Sequence, residues 1–453
     1  MRSTRLSLLI ICLLFTWGGT GTAAAAEATE PFFPQAGDPR LDVSRYAGSI
    51  SYRPQSGRIR GKVTITIRSL APLRRFSLDY RGPAVGLVDV DGDRARRWRS
   101  GGKLWIESPY RVPADYRFSV TVNYRGKPRA IVDPDGSKEG WIATDDGAVA
   151  LGEPQGTPAW LPCNNVPGDK ASFAIVISVP RPLVAVANGR LLRVSHDDED
   201  RVRRYRWKEE SPISTYLALV AIGRGRLVKS TIADRPSWTL IDPRLQRRSR
   251  QVLAALPEVI RFESGLFGPY PFRTAGSVVD VAPEVGYALE TQSRPFYAYV
   301  PDLTTVVHET AHQWFGDSVG IERWPEIWLN EGFATWAEWY YTERHGGRSA
   351  AAIFRRLYRV PASNEKFWDP PSAHPGSPKH IFGPSVYVRG GMALQALRVK
   401  IGTGPMLRLL RTWATEHRYG SGTIREFISL AEEVSGRDLG PFFQRWLYRR
   451  GKP

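Results

Sequence analysis

The sequence predicts a multidomain α+β protein: an N-terminal antiparallel β-domain over residues 35–225, followed by a mainly helical domain over 226–453. Three observations predict it. Up to about residue 225, apolar and polar residues alternate in short runs rich in Val, Ile, Thr and aromatics, with Gly, Pro and Asp between them. Beyond about 226 the apolar spacing becomes that of helices. The chain has 453 residues, 42% hydrophobic and 11% aromatic, which suits two or three cores and excludes global disorder.

The elements follow in order. Arg2 and Arg5 precede the apolar run "LSLLIICLLF", and an Ala-rich stretch follows, the layout of a secretory signal peptide over 1–26. The mature chain is therefore expected outside the cytoplasm, secreted or held in the cell envelope or periplasm. The run is too short to span a membrane, no longer one follows, and Ile11 before Cys12 argues against a lipid anchor. "GKVTITIRSL", "RFSVTVNY", "SFAIVISV" and "STYLALVAIG" read as strands, with turns at "DVDGD" and "VDPDGS". "RRSRQVLAALPEVIRFESGLFG" reads as a helix kinked at Pro257. A short strand "SVVDV" and the extended segment "YALETQSRPFYAY" come next. Helices are then predicted at 303–318, 328–345, 385–401, 404–417, 423–434 and 440–448, the third weakened by Gly390 and Gly391; a Pro-, Ser- and Gly-rich loop covers 361–384.

The net charge of +18 comes with arginine clusters at 94–100, 201–207 and 244–250. They lack a nucleic-acid-binding signature and read as solvated arginine, with at most a weak attraction to anionic envelope polymers and no nucleic-acid partner. Signal cleavage leaves Cys163 alone, so no internal disulfide is expected, and Cys163 reads as a small buried hydrophobe. A monomer is expected.

The chemistry starts at "VVHETAHQWFGDSV". On a helix, His308 and His312 fall one turn apart on one face and suit two imidazoles on a single zinc. Glu309 lies beside that face, within reach of a metal-bound water as general base. A catalytic zinc needs a third protein ligand, and Glu331 in "EIWLNEGFATWAEW" supplies a candidate at the start of the next helix. Glu338, seven residues on, lies near the same face, placed to accept from a ligand histidine's other nitrogen or, on the plainer reading, to face solvent.

HExxH, eighteen intervening residues and the Glu of "NEG" resemble the M1 family of zinc aminopeptidases, which includes aminopeptidase N and leukotriene A4 hydrolase. "GYALETQ" resembles the family's Gly-Ala-Met-Glu-Asn segment, with Ala288, Leu289 and Glu290 in the Ala-Met-Glu places. In "GEPQGTPAWLPCNNVPGDKASF", Glu153 stands at the family's distance from Pro162–Cys163. "SVYVRGGMALQAL" resembles the Tyr-x-Lys-Gly segment, with Tyr387 as its tyrosine and Arg389 for the lysine.

The resemblance implies a thermolysin-like zinc metallopeptidase domain after the β-domain, with one zinc per chain on His308, His312 and Glu331. It implies peptide substrates with a free N-terminus, cut at the first peptide bond. Glu290 and Glu153 would take the α-ammonium, with Ala288 also touching substrate; two carboxylates around one cation would leave an internal amide unrewarded. Tyr387, which on its own reads as a packed aromatic, would donate to the oxyanion, with Glu309 as base. Thr291 stands where the family has Asn, and Asp317 replaces the Asn after "HxWxG". "PFFQRWLYRRGKP" resembles the close of the family's catalytic domain, so a two-domain form without a further helical domain is expected. The alternatives are a catalytically silent peptide- or envelope-binding protein on the same fold, an endopeptidase, or a non-peptide hydrolase such as one acting on an epoxide. His374 and His380 flank the 361–384 loop and are candidates for the cleft wall.

Overall fold

The computed structural model describes residues 30–199 and 201–453; the signal segment predicted at 1–26, with Cys12, lies outside the described residues. The N-terminal half is built of strands. Its largest sheet has eight, in the spatial order Arg190–Asp197, Val202–Ser214, Lys170–Pro180, Leu41–Arg53, Arg58–Ser69, Arg117–Gly126, Ala84–Val90 and Asp93–Arg94. Neighbours are antiparallel except Leu41–Arg53 with Lys170–Pro180, which pair in parallel with Ile50 opposite Ile177. The alternation in the sequence is the cause. Ala171, Phe173, Ile175, Ile177 and Val179 all point inward from one strand while the residues between them are only half-buried. The arginine-rich strand Arg96–Ser100 is exposed along its length, as expected for solvated guanidinium groups. Cys163 is free and fully buried.

The second half opens with a five-stranded mixed sheet in the order Val228–Ile232, Arg235–Ile241, Ala275–Val279, Phe296–Tyr297 and Ala288–Leu289. Ala288–Leu289 is its edge. Ten helices follow or flank it: α1 Gln246–Leu253, α2 Leu256–Phe267, α3 Leu303–Ala311, α4 Trp328–Arg344, α5 Ala350–Leu357, α6 Glu365–Trp368, α7 Gly390–Ile401, α8 Thr403–Glu416, α9 Ile424–Ser435 and α10 Gly440–Phe443. Buried apolar side chains from both halves form one continuous cluster. No described helix is long and apolar enough to cross a membrane.

Several details depart from the periodicity: α5 falls outside the expected helices, and α6 lies within the loop expected over 361–384. The kinked helix expected around Pro257 is two helices, broken at Ala254–Ala255, with Pro257 in the first turn of α2 where its missing N–H costs nothing. The helix expected over 303–318 stops at Ala311. Beyond it the amides of Asp317, Ser318 and Val319 donate to the carbonyls of His312, Gln313 and Trp314, five residues back, and Gly316 turns the chain at φ +130°. A Cβ on Gly316 would stand 3.3 Å from His312 Nδ1, so glycine also keeps that ring's place. Five-residue hydrogen bonding recurs in π-helical turns at Ser385–Arg389, leading into α7, and at Gln444–Tyr448, after α10.

The halves are tied by buried polar contacts. Lys170 Nζ donates to the carbonyls of Asp317, Ser318 and Gly420 at 2.7, 3.0 and 3.0 Å. The fully buried Arg294 stacks on Trp207 and donates to the carbonyls of Trp238, Ala187 and Gly189.

Candidate active site

Asp302 caps α3 by accepting from the Thr305 amide at 2.7 Å, and the far end of the helix presents His308 in its last turn and His312 at its C-cap. Their rings meet edge to face, centroids 4.7 Å apart. α4 packs across α3 and brings Glu331 from its first turn, so Glu331 Oε2 lies 3.2 Å from His308 Nε2 and 3.3 Å from His312 Nε2. The other ring nitrogens are engaged. His308 Nδ1 meets Glu338 Oε1 at 2.6 Å, and His312 Nδ1 meets the Phe315 carbonyl at 3.0 Å. Acceptors at both Nδ1 atoms orient the rings and turn both Nε2 atoms toward Glu331. Two imidazole nitrogens and a carboxylate oxygen within 4.8 Å of one another form a donor set of the kind zinc takes, with the second contacts in place.

A cavity of about 350 Å³ opens on this cluster, lined by the nine residues given a metal, catalytic or substrate role from the sequence: Glu153, Ala288, Glu290, His308, Glu309, His312, Glu331, Glu338 and Tyr387. Glu309, buried, faces the cavity, and burial pushes its carboxyl up to about 8. Burial opposes ionisation of Glu331 too, but His312 and His308 hold it down to about 2. The Tyr387 ring lies parallel to His308, centroids 5.9 Å apart. Burial, with Glu331 and Glu153 nearby, keeps its phenol well above the usual range, so the hydroxyl remains a donor.

Glu153 and Glu290 reach the cavity from opposite halves. The Glu153 loop is held by the buried Glu139, which accepts from the Gln155 amide at 2.8 Å, and by Asn165 Nδ2 on the Pro154 carbonyl at 3.1 Å. Both carboxylates are buried, and Oε1 of each has no hydrogen-bond partner among the described residues. Burial and then the Glu290 charge push Glu153 well up, and burial raises Glu290. Two desolvated carboxylates beside each other and unpaired are costly unless a cation joins them.

Several contributors were not visible in the sequence. Gln313 straps the Glu290 turn to the histidine segment: its Nε2 donates to the Glu290 carbonyl at 3.0 Å and its Oε1 accepts from the Ser293 amide at 2.8 Å. From the other half, Asn188 Nδ2 donates to the Gln292 carbonyl at 2.9 Å. Tyr287, on the cavity wall, donates across the halves to the Lys138 carbonyl at 3.0 Å. Nothing in residue type or spacing marks these, because each depends on which turn the fold brings alongside. Thr291 spends its hydroxyl inside its own turn, on the Arg294 carbonyl at 2.6 Å, and does not line the cavity. Asp317 is buried behind the histidine segment. His374 and His380 are exposed and stand outside the cavity.

Residues 44–217 match the peptidase M1 N-terminal domain and residues 302–446 match the peptidase family M1 domain. Aminopeptidase M1 of Arabidopsis thaliana is 25% identical over 333 residues, covering 68% of this chain and 37% of that protein. A probable aminopeptidase of Sulfurisphaera tokodaii is 22% identical over 324 residues, covering 65% and 40%. The chain thus spans about two fifths of the length of these curated relatives. Among solved structures, a mutant M1 zinc metallopeptidase from Deinococcus radiodurans bound to a Tyr-Ser-Ala substrate superposes with a TM-score of 0.86 at 26% identity, covering 94% of this chain and 98% of that one.

Proposed function

Since the chain belongs to peptidase family M1, we propose that it is an exported zinc-dependent aminopeptidase that hydrolyses the first peptide bond of peptides with a free N-terminus. The observation that carries the reading is the pair of unpaired buried carboxylates, Glu153 and Glu290, in one cavity with the His308–His312–Glu331 donor set. Those three residues would hold one zinc per chain, which when bound supplies Lewis acidity toward the scissile carbonyl and the attacking water. Glu153 and Glu290 bind the α-ammonium and so fix which amide reaches the donor set. Ala288 lies on the sheet edge beside them, where an extended backbone can run alongside.

Glu309 takes the proton of the attacking water on a carboxylate oxygen as the C–O bond forms. It returns that proton to the departing amine nitrogen as the C–N bond breaks. Tyr387 donates to the oxyanion that develops on the carbonyl oxygen as the carbon becomes tetrahedral. Peptide substrates accord with the Tyr-Ser-Ala seen in the Deinococcus relative. Export rests on the apolar leader at the N-terminus.

The test is turnover of a panel of aminoacyl anilides by zinc-loaded protein, with N-acetylated controls and a Glu309→Gln variant. Free-amine substrates are expected to turn over, blocked ones not, and Glu309→Gln to lose activity while keeping its zinc. Equal turnover of blocked and free substrates overturns the aminopeptidase reading.

A further inference from the structure

Tyr387 lies in the π-helical turn Ser385–Arg389, and two residues on the fully buried Arg389 leaves that turn in an unusual setting. Its guanidinium donates only to main-chain carbonyls: Nε to Trp446 at 2.9 Å, one terminal nitrogen to Trp368 and to Gly451 at 3.1 Å, the other to Arg449 and to Arg445 at 3.3 Å. Five donors meet five acceptors, the full capacity of the group. Four of those carbonyls belong to residues 445–451, at the end of the second π-helical turn and just beyond it. The fifth ends α6. Asp369 closes the arrangement by accepting from the Gly451 amide at 3.0 Å. Next in the chain, Gly390 packs backbone to backbone on Gly332, the neighbour of Glu331. The turn bearing Tyr387 is thus clamped between the segment 445–451 and the helix bearing Glu331.

We propose that Arg389 is a positioning residue for Tyr387, and that the segment 445–451 to which it is bound is by that route a working part of the active site. The inference rests on the peptidase reading for what Tyr387 does. The family segment carries lysine at this place, but a lysine offers three donors from a single atom and cannot meet the five carbonyls that this chain spreads over two segments. It retains charge and stem, so the fold survives while the turn loosens. Small misplacement of an oxyanion donor falls on the chemical step rather than on binding of the ground state.

The test compares wild type, Arg389→Lys, Tyr387→Phe and the double variant on a free-amine anilide. Arg389→Lys is expected to lower kcat by about tenfold or more with KM within about twofold. In the Tyr387→Phe background the same change is expected to cost less than about twofold, because the group it positions is gone. Full additivity in the double variant, or unchanged kcat in Arg389→Lys, overturns the proposal. Hydrogen–deuterium exchange on metal-free protein provides an arm independent of activity: Arg389→Lys and the harsher Arg389→Gln are expected to speed exchange in 385–391 and 444–451 together, and unchanged exchange in 385–391 overturns it. If the wild type turns over no free-amine substrate, the peptidase reading falls, while the exchange arm still decides whether Arg389 holds the turn.

Discussion

Glu338 acts at one remove from the chemistry, through the 2.6 Å contact with His308 Nδ1. Replacing it with alanine frees the ring to rotate and to change tautomer, and zinc affinity is expected to fall by about 10- to 100-fold, measured by competition with a chromophoric chelator. A second single-residue prediction lies away from the cavity. Burial, with Asp146 and Asp242 close by, pushes Asp280 from 3.8 up to about 7. Its raised folded value means the fold favours the protonated form, so its contribution is most favourable below about pH 4 and is lost as pH climbs through about 7. Asp280→Asn removes that loss; the Tm of the variant relative to wild type is expected to rise between pH 5 and pH 7.5. At this scale the sequence was most informative where local geometry does the work. His308, Glu309 and His312 need only a helix, and Glu331 needs only the next one. Gln313 was silent because its partners, Glu290 and Ser293, are reached through a turn whose position no local pattern encodes.

Helices α4 and α7 cross at two glycines. A Cβ on Gly332 would stand 3.1 Å from Gly390 Cα and 3.2 Å from the Trp328 ring, and one on Gly390 would stand 3.0 Å from Gly332 Cα. The crossing sets the distance between Glu331 on one helix and the turn of Tyr387 before the other. Gly332→Ala is expected to cost about 1–3 kcal/mol by overpacking, seen as a lowered Tm, together with a lowered zinc content after dialysis. Helical spacing alone treats Gly390 and Gly391 as a weakness in α7. Their reason is contact, and contact with a distant helix leaves no mark on a helix's own period. The same limit explains the premature end of α3. Apolar spacing continues to residue 318, but hydrogen bonds five residues long serve the same residues with a different pitch, and only Gly316 hints at the change. Strands were read more faithfully, since a sheet with one buried face imposes its alternation residue by residue.

Across the whole molecule, the β-rich half contributes to the cavity directly, through Glu153, and indirectly, through Lys170, whose ammonium gathers three carbonyls next to the histidine segment and α8. Lys170→Met leaves those acceptors unpaired; it is expected to lower stability by about 1–3 kcal/mol and to speed hydrogen exchange in 313–320 more than elsewhere. The two-part plan was legible because each half keeps its own period. How the halves face each other was not, since Lys170, Arg294 and Asn188 look like ordinary surface residues until their acceptors are known. The placing of Glu153 and Glu290 on separate halves has a mechanical consequence. An amine lodged between them is a rivet through the seam, so occupancy should register as resistance to heat even with the chemistry switched off. In Glu309→Gln, a peptide amide at about 100 times its Kd is expected to stabilise the fold by about 2.7 kcal/mol, and its N-acetylated twin by far less. A melting curve can then serve as a gauge for peptides that are bound but never cut.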